Sequence, residues 1–314
     1  MPLPTFIIGG VRRGGTTSLY YAIKEHPQIY LYPQSELNYF VEEDVKGRRW
    51  RNHFADPDHW DTSHSVDDYA ALFPDDIQVR AIGHKGADLL FWQPAHERIA
   101  RFVPKARFIF SLRNPVNRAW SHYWFERAKG RETLNFEAAL DAEEERAKQN
   151  KWAGYHLSYL ARGFYDQNLQ RFFKFIPPEQ VLVITLEEKI AQPRETLEKV
   201  YRFLGVDPEL GHRQSESRRN KGWATIPRPW AHHSALSPVV SVYESVTNAL
   251  AKLLTPSRDS RRLLRNFLQK PFRDSMRRVP MPEALRQKLN DRYAPHISAL
   301  ETLLDRRFDE WRSP

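Results

Sequence analysis

Short apolar runs alternate with helical patterns over the first two thirds of the chain. The apolar runs predict strands at Phe6–Gly10, Ile29–Leu31, Arg107–Leu112 and Val181–Leu186. Apolar residues at helical spacing predict helices at Thr16–Glu25, Arg118–Arg127, Asp166–Phe175 and Arg194–Leu204, the last ending at Gly205. Strands that alternate with helices are typical of an α/β fold, in which a mainly parallel sheet carries helices on both faces.

The remaining segments are less regular. Glu42–Asp68 is predicted to be an irregular excursion, and Pro282–Trp311 a pair of amphipathic helices. Between them, Ser234–Val279 has a helical pattern with many arginines. We interpret residues 1–314 as a single domain in which 235–280 is a variable helical insertion.

Composition supports a folded protein with an anionic ligand. Hydrophobic residues make up 41% of the 314 positions, and a net charge of +9 favours an acidic substrate, an anionic ligand or a negatively charged surface. The chain contains no cysteine, which excludes disulfides and thiolate zinc sites. Because Met1–Pro4 leads directly into a predicted strand and no apolar run reaches membrane-spanning length, we expect a cytoplasmic protein.

A glycine-rich loop, Gly10–Thr17, lies between the first predicted strand and the first predicted helix. Backbone N–H groups and the positive end of a helix converge at such a loop and favour an anion. Gly14 and Gly15 allow close approach of a ligand, whereas Thr16 and Thr17 add hydroxyl donors. The loop therefore predicts a site for a phosphate-type group, although glycine-rich turns of this kind also occur for packing alone.

The chain differs from a nucleotide triphosphatase at two positions, one in this loop and one after a later strand. The spacing from Gly10 to Gly15 matches G-x-x-x-x-G-K-[ST], but Thr16 stands at the lysine position. The strand ending at Leu112 is followed by Arg113, where a triphosphatase has a magnesium-binding aspartate. We predict that Arg113 and Ser121 bind a second phosphate and that no metal takes part. Two anion sites of this kind suit a nucleotide with phosphates at both ends of its ribose.

Two motifs in this order resemble those of one enzyme family. Arg12–Leu19 is similar to the 5′-phosphosulfate loop, and Leu112–Tyr123 to the 3′-phosphate segment, of the sulfotransferases that use 3′-phosphoadenosine-5′-phosphosulfate (PAPS). The resemblance is to the carbohydrate and heparan sulfate branch and its bacterial relatives, and it covers nearly the whole chain. It implies a P-loop-like α/β fold, transfer of a sulfuryl group to a hydroxyl or amine, and 3′-phosphoadenosine-5′-phosphate (PAP) as product.

The resemblance also implies which residues bind the nucleotide. The residues so assigned are Arg12, Arg13, Gly14, Gly15, Thr16, Thr17, Ser18, Arg113, Ser121, Tyr165, Lys221, Gly222 and Trp223. The last three resemble a Lys-Gly-aromatic loop that closes over the donor in heparan-type enzymes.

Three residues are expected to act in catalysis, each within a segment that departs from the family pattern. Arg13 replaces a lysine, and because guanidinium stays protonated its role must be electrostatic. Glu36 keeps the glutamate of Lys-Glu-x-x-Phe-Phe and is the predicted general base. Lys85 keeps the lysine of Glu-Lys-Thr-Pro-Asp and is expected to contact the sulfuryl oxygens. His84 and His122 are alternative bases.

Other functions remain open on the residues alone. A P-loop kinase or triphosphatase, a nucleic-acid-binding module and a catalytically silent nucleotide-binding scaffold are the alternatives, and dispersed basic residues argue against nucleic acid as a partner. The predicted acceptor is a carbohydrate or glycoconjugate, with a lipid or small metabolite as alternative. The basic segment 252–278 suits an acidic glycan, peripheral contact with an anionic membrane, or solvent.

Overall fold

The computed structural model describes residues 2–33, 36–37, 39–41, 65–76, 78–128, 130–215, 226–227, 276–277 and 280–312. The predicted closing loop Lys221–Trp223, nearly all of the predicted insertion and most of Glu42–Asp68 lie outside these ranges.

Five parallel strands form the central sheet. They are β1 (Phe6–Gly10), β2 (Ile29–Leu31), β3 (Ala81–Lys85), β4 (Arg107–Leu112) and β5 (Val181–Thr185), in the order β2-β3-β1-β4-β5. Each neighbouring pair is parallel, with Phe6 opposite both Gly83 and Arg107 in the register. A separate antiparallel pair joins β6 (Ile226–Pro227) to β7 (Met276–Arg277). The predicted mainly parallel α/β sheet is confirmed.

Helices connect the strands and cover the sheet. In chain order they are α1 (Thr16–Ile23), α2 (Val66–Ala70), α3 (Pro94–Phe102), α4 (Pro115–Ala128), α5 (Phe136–Asp141), α6 (Glu143–Gln149), α7 (Lys151–His156), α8 (Tyr165–Phe172), α9 (Leu186–Ala191), α10 (Pro193–Leu204), α11 (Pro208–Ser215) and α12 (Glu283–Leu304). Short 3-10 turns lie at Ala161–Gly163, Pro178–Gln180 and Asp309–Trp311. The predicted helices after β1, β4 and β5 are confirmed.

Alternating side chains of each strand enter different cores, as expected for a sheet covered on both faces. Ile7 and Phe108 belong to one apolar cluster, which also contains residues of α3 and α8. Ile8 and Ile109 belong to another, which contains residues of α1 and α10. This arrangement explains why β1 is buried at all five positions, and each such large apolar side chain contributes roughly 1.5–3 kcal/mol of burial free energy.

Several predicted boundaries were wrong. Strand β3, which lies between β2 and β1 in the sheet, was not predicted. The end of the stretch predicted as irregular, Glu42–Asp68, overlaps helix α2, which begins with a capping box between Ser65 and Asp68. Leu186 opens α9 and does not extend β5.

The expected pair of helices at the C-terminal end is a single helix, α12. It spans 22 residues with Pro295 inside, and the short turn Asp309–Trp311 follows it. In the part of the chain that the structure describes, no helix combines the length and the apolar character required to cross a bilayer.

Strand order decides where the functional residues meet. In a parallel sheet the carboxyl ends of all strands lie at one edge. Ligands bind at this edge, beside the strand whose connections lead to opposite sides of the sheet. Here that strand is β1, with β3 on one side and β4 on the other. The segments after Gly10, Lys85 and Leu112 therefore share one edge, and all three carry predicted site residues.

Candidate active site

The loop after β1 has the backbone of an anion site. Gly15 is the N-cap of α1 with φ 86°, in the left-handed region that favours glycine. At Gly14 a Cβ would lie 2.0 Å from the carbonyl oxygen of Ser111, so only glycine fits there. The first-turn N–H groups, from Thr16 onward, have no partner within the helix, and the helix dipole makes this end positive. The predicted phosphate loop is thus built by close packing against β4.

Arg13 is the cationic residue of this loop. Its Nε donates to Ser121 Oγ at 3.0 Å, and its guanidinium lies 4.9 Å from the ring centre of Phe125. Arg13 has φ 69°, an uncommon conformation for a residue with a side chain. Burial, reinforced by Arg113, lowers the pKa of Arg13 to about 10. The side chain is therefore still protonated at neutral pH.

Arg113 follows β4 and adjoins the loop. Its Nη1 donates to the carbonyl oxygen of Arg13 at 3.4 Å, so two guanidinium-bearing residues lie at neighbouring strand ends. Tyr165 is buried, and its hydroxyl donates to the carbonyl oxygen of Arg113 at 2.9 Å. The structure thus brings Arg13, Arg113, Ser121 and Tyr165 together, with Ser121 contacting Arg13 and Tyr165 holding the backbone of Arg113.

The predicted base and the predicted sulfuryl-binding lysine are in contact. Lys85 Nζ forms an ion pair with Glu36 Oε1 and donates to Thr17 Oγ1 at 3.3 Å. Glu36 Oε2 accepts the N–H of Ala87 at 3.2 Å. Thr17 is exposed, and 44% of the Glu36 side chain is open to solvent, whereas Lys85 is buried. The pair therefore links the phosphate loop to an accessible carboxylate.

Desolvation by the surrounding protein raises the pKa of Glu36, and Lys85 opposes this shift. A carboxylate with a raised pKa is a stronger base when ionised, which suits removal of a proton from an acceptor. Through Lys85, which contacts both residues, this carboxylate lies near Thr17, at the same edge of the sheet as Arg13.

Arg12 has a different environment from Arg13. Its Nε and Nη2 donate to the two carboxylate oxygens of Asp88, at 2.9 and 2.6 Å. Arg162 and the hydroxyl of Tyr155 also donate to Asp88, each at 2.6 Å. Burial alone would raise the pKa of Asp88, but Arg12 and Arg162 outweigh it and hold that pKa well below the usual range. The guanidinium of Arg12 is engaged inside the protein, and its predicted contact with the nucleotide stays a prediction.

The two histidines considered as alternative bases are buried. Tyr69 OH lies 2.6 Å from His84 Nε2, and burial lowers the pKa of His84 to about 3. His122 is inaccessible to solvent between Glu126 and Tyr159, and burial holds its pKa well below the ordinary value. Both side chains belong to the interior, which favours Glu36 as the base.

Two further candidate residues, which no sequence motif predicts, lie on α9. Lys189 Nζ donates to the carbonyl oxygen of Gly15 and to Ser18 Oγ, both at 2.7 Å. Glu187 accepts the backbone N–H of Asn114 at 3.2 Å. Their position after a predicted strand is the feature that points to them, since α9 begins directly after β5 and therefore at the edge of the sheet that carries the site.

Among the described residues, no group of three or more histidine, aspartate or glutamate side chains is arranged to hold a metal ion. Lys221, Gly222 and Trp223 lie outside the described residues. The predicted metal-free chemistry and the predicted closing loop both stay predictions.

Comparison with known proteins identifies the family. A family profile described as the sulfotransferase family matches residues 4–209, a range that includes Arg13, Glu36, Lys85 and Arg113. The chain belongs to the sulfotransferase family. A crystal structure of a sulfotransferase from Alicyclobacillus acidocaldarius is 25% identical to it, with a TM-score of 0.66 over 100% of both chains. The predicted fold and the predicted family resemblance are thus confirmed.

Curated relatives within the sulfotransferase family act on heparan sulfate according to their names. The human bifunctional heparan sulfate N-deacetylase/N-sulfotransferase 3 is 26% identical over 225 residues, which cover 68% of this chain and 23% of that protein. The human heparan sulfate glucosamine 3-O-sulfotransferase 3B1 is 24% identical over 227 residues, covering 71% of this chain and 52% of that protein. The chain therefore matches about a quarter of the first relative and about half of the second.

Proposed function

We propose that this chain transfers a sulfuryl group from PAPS to a hydroxyl or amine of a carbohydrate or glycoconjugate. The observation that carries the proposal is the pair of adjoining cationic sites at one edge of the sheet, next to an accessible carboxylate. Family membership supports sulfuryl transfer in general, and the names of the heparan sulfate relatives support a carbohydrate acceptor.

The residues present fit a donor with phosphates at its 3′ and 5′ positions. Gly14 and Gly15 open the backbone at the start of α1, and Arg13 supplies a protonated guanidinium there. Arg113 stands where a magnesium-dependent triphosphatase carries an aspartate. A loop of this kind with cations after both β1 and β4 suits a bisphosphorylated nucleotide better than a magnesium triphosphate.

When bound, PAPS supplies the activated sulfuryl group. Glu36 accepts the proton of the acceptor hydroxyl or amine at its carboxylate, which is the accessible basic group of the site. Lys85 and Thr17 supply donors for the sulfuryl oxygens, and Arg13 offsets the negative charge that the departing phosphate acquires. Most of the rate enhancement then comes from positioning and fixed positive charge.

Ligand binding tests the donor assignment. Thermal-shift and calorimetric titrations compare PAP with ATP plus magnesium and with duplex DNA at equal concentrations, because a ligand that binds the folded state more tightly raises the unfolding temperature further. Selective stabilisation by PAP supports the proposal. Equal or stronger stabilisation by ATP plus magnesium supports a kinase or triphosphatase, and stabilisation by DNA alone supports a nucleic-acid-binding protein.

Matched variants connect that binding to the site. Arg113→Ala is expected to weaken PAP binding by roughly tenfold or more, because it removes a charge-assisted contact. Arg194→Ala is the control, since it removes the same charge from α10, where 65% of the Arg194 side chain is exposed. Unchanged PAP affinity in Arg113→Ala contradicts the 3′-phosphate assignment.

Activity measurements test the acceptor. Sulfate transfer from PAPS is measured on a desulfated heparan-type polysaccharide, a glycolipid and a phenol. Transfer to the polysaccharide supports the proposed acceptor class, whereas transfer to the glycolipid or phenol alone replaces it. A protein that binds PAP but transfers no sulfate to any of them is better described as a silent scaffold.

A further inference from the structure

Helix α9 contacts both predicted phosphate sites. Lys189 donates to the carbonyl oxygen of Gly15 and to Ser18 Oγ, while Ser18 Oγ itself donates to the carbonyl oxygen of Gly15 at 2.9 Å. Leu186 packs against the same turn, because a Cβ built on Gly15 would lie 2.7 Å from Leu186 Cδ1. One face of α9 therefore holds the start of α1, where the phosphate loop ends.

Helix α9 also contacts the turn that carries Arg113. Glu187 Oε1 accepts the backbone N–H of Asn114, and Glu187 Oε2 accepts Trp311 Nε1, both at 3.2 Å. Asn114 Nδ2 in turn donates to the carbonyl oxygen of Trp311 at 3.1 Å. A closed set of hydrogen bonds thus fixes the residue that follows Arg113 to α9 and to the last described turn of the chain.

Contacts outside the site hold α9 itself. Thr185 caps the helix and forms a capping box with Glu188. Glu188 also pairs with Arg306 at 3.0 Å, which ties α9 to the segment after α12. A short helix held at its start and along its outer face cannot shift without breaking these contacts, so it is a fixed reference for both phosphate sites.

We propose that α9 is a brace that sets the separation of the two phosphate sites, with Lys189 holding the 5′ loop and Glu187 holding the Arg113 turn. This inference rests on the proposed function and makes Lys189 and Glu187 positioning residues that determine specificity for a bisphosphorylated nucleotide. The shape of the brace matters only to a ligand that occupies both sites at once, because the second contact then forms at high effective concentration and requires the correct distance.

Ligands that occupy one site provide the comparison. PAP, adenosine 5′-monophosphate and adenosine 3′-monophosphate share the same nucleoside, and each monophosphate carries only one of the two phosphates. In Lys189→Met, calorimetry is expected to show a Kd for PAP raised roughly tenfold, and a Kd for each monophosphate raised by less than about twofold.

A lysine that contacts the 5′-phosphate directly behaves differently. Lys189→Met then weakens adenosine 5′-monophosphate by the same factor as PAP, and this result overturns the brace. An unchanged affinity for PAP overturns it as well. Lys148→Met is the matched control, because Lys148 lies on α6 with 66% of its side chain exposed and the variant loses the same charge outside both sites and away from α9.

Glu187→Gln provides a second variant should Lys189→Met fail to fold. The amide keeps the shape, but its NH2 group takes the place of one of the two acceptor oxygens, so either Asn114 N–H or Trp311 Nε1–H then faces a donor and loses its hydrogen bond. The expected pattern is the same, with PAP weakened roughly threefold and both monophosphates unaffected. If the wild-type protein does not bind PAP, the proposed function is contradicted. If the wild-type protein binds PAP but the variants lose the same factor of affinity for all three ligands, only the brace is contradicted.

Discussion

Two carboxylates near the phosphate loop, Asp88 and Glu36, show how similar groups serve different ends. Asp88 is buried and receives hydrogen bonds from Arg12, Arg162 and Tyr155, so its charge is fully compensated. Glu36 has Lys85 as its cationic partner and stays partly open to solvent. The pKa of Asp88 is lowered, whereas that of Glu36 is raised.

The contrast follows from the balance of burial and charge. Two guanidiniums overcome the cost of burying Asp88, which makes it a permanent anion that fixes Arg12 at the start of the phosphate loop. At Glu36 one ammonium does not overcome desolvation, so the carboxylate remains able to take up a proton. Asp88 therefore holds the site together, and Glu36 is suited to act in it.

The largest expected effect is from Asp88→Asn. The substitution removes the carboxylate charge paired with buried Arg162 and one of the two carboxylates beside Arg12, which is expected to lower the free energy of unfolding by about 3–5 kcal/mol. Because the folded-state pKa of Asp88 is depressed, this stability is present at neutral pH and is lost as the pH falls below the ordinary carboxylate range. Urea unfolding measures it.

Asp141→Asn is the control for that experiment, because Asp141 is exposed at the end of α5. A loss in Asp88→Asn no greater than that of the control would show that the Arg12 and Arg162 contacts do not stabilise the fold.

The next effect is on catalysis, through Glu36→Gln. The amide keeps the shape and can accept one of the two hydrogen bonds, from Lys85 or from Ala87, but it cannot take a proton, so kcat is expected to fall by about a hundredfold. PAP affinity should stay within error of wild type, whereas the unfolding temperature should fall, because buried Lys85 loses its paired carboxylate. Steady-state kinetics with the best acceptor from the panel tests this, and an unchanged kcat would remove Glu36 as the base.

A pH profile sharpens the same comparison. Since Glu36 acts in its ionised form, kcat should decline by about tenfold per pH unit below its pKa, which is raised above the ordinary glutamate value. Glu36→Gln should have no such acidic limb. An acidic limb that persists unchanged in the variant would assign the titration to another group.

The smallest expected effect is the uptake of a fraction of a proton when PAP binds. Burial lowers the pKa of Lys189 to about 8, with Glu187 opposing the shift. A bound phosphate favours the charged ammonium and raises this pKa, so PAP binding at about pH 8.5 should take up protons. Calorimetry in buffers of different ionisation enthalpy measures the uptake, which Lys189→Met should abolish and Lys148→Met should retain.

Local patterns predicted the fold and the core of the site where the causes were local. Glycines and hydroxyl residues directly after a buried apolar strand predict the phosphate loop, and Arg113 after β4 predicts the second anion site. Strand β3 was missed because its residues, Ala-Ile-Gly-His-Lys, are not uniformly apolar. His84 and Lys85 are accommodated by Tyr69 and Glu36, which lie far away in the sequence.

The contacts of the proposed brace could not be predicted, because they join residues that are far apart in the sequence. Lys189 lies 174 positions from Gly15, and Glu187 lies 73 positions from Asn114. Nothing in the local sequence Leu186–Ala191 distinguishes these side chains from those of an ordinary charged surface helix. Their significance follows from the parallel sheet, which brings the end of β5 to the same edge as β1 and β4.

A crystal structure of the protein with PAP tests the central claim most directly. The account predicts that the 5′-phosphate lies against the backbone N–H groups of Gly14–Thr17 with Arg13 beside it, and that the 3′-phosphate contacts Arg113. Density for PAP away from this edge of the sheet, or a 3′-phosphate bound by residues other than Arg113, would contradict it.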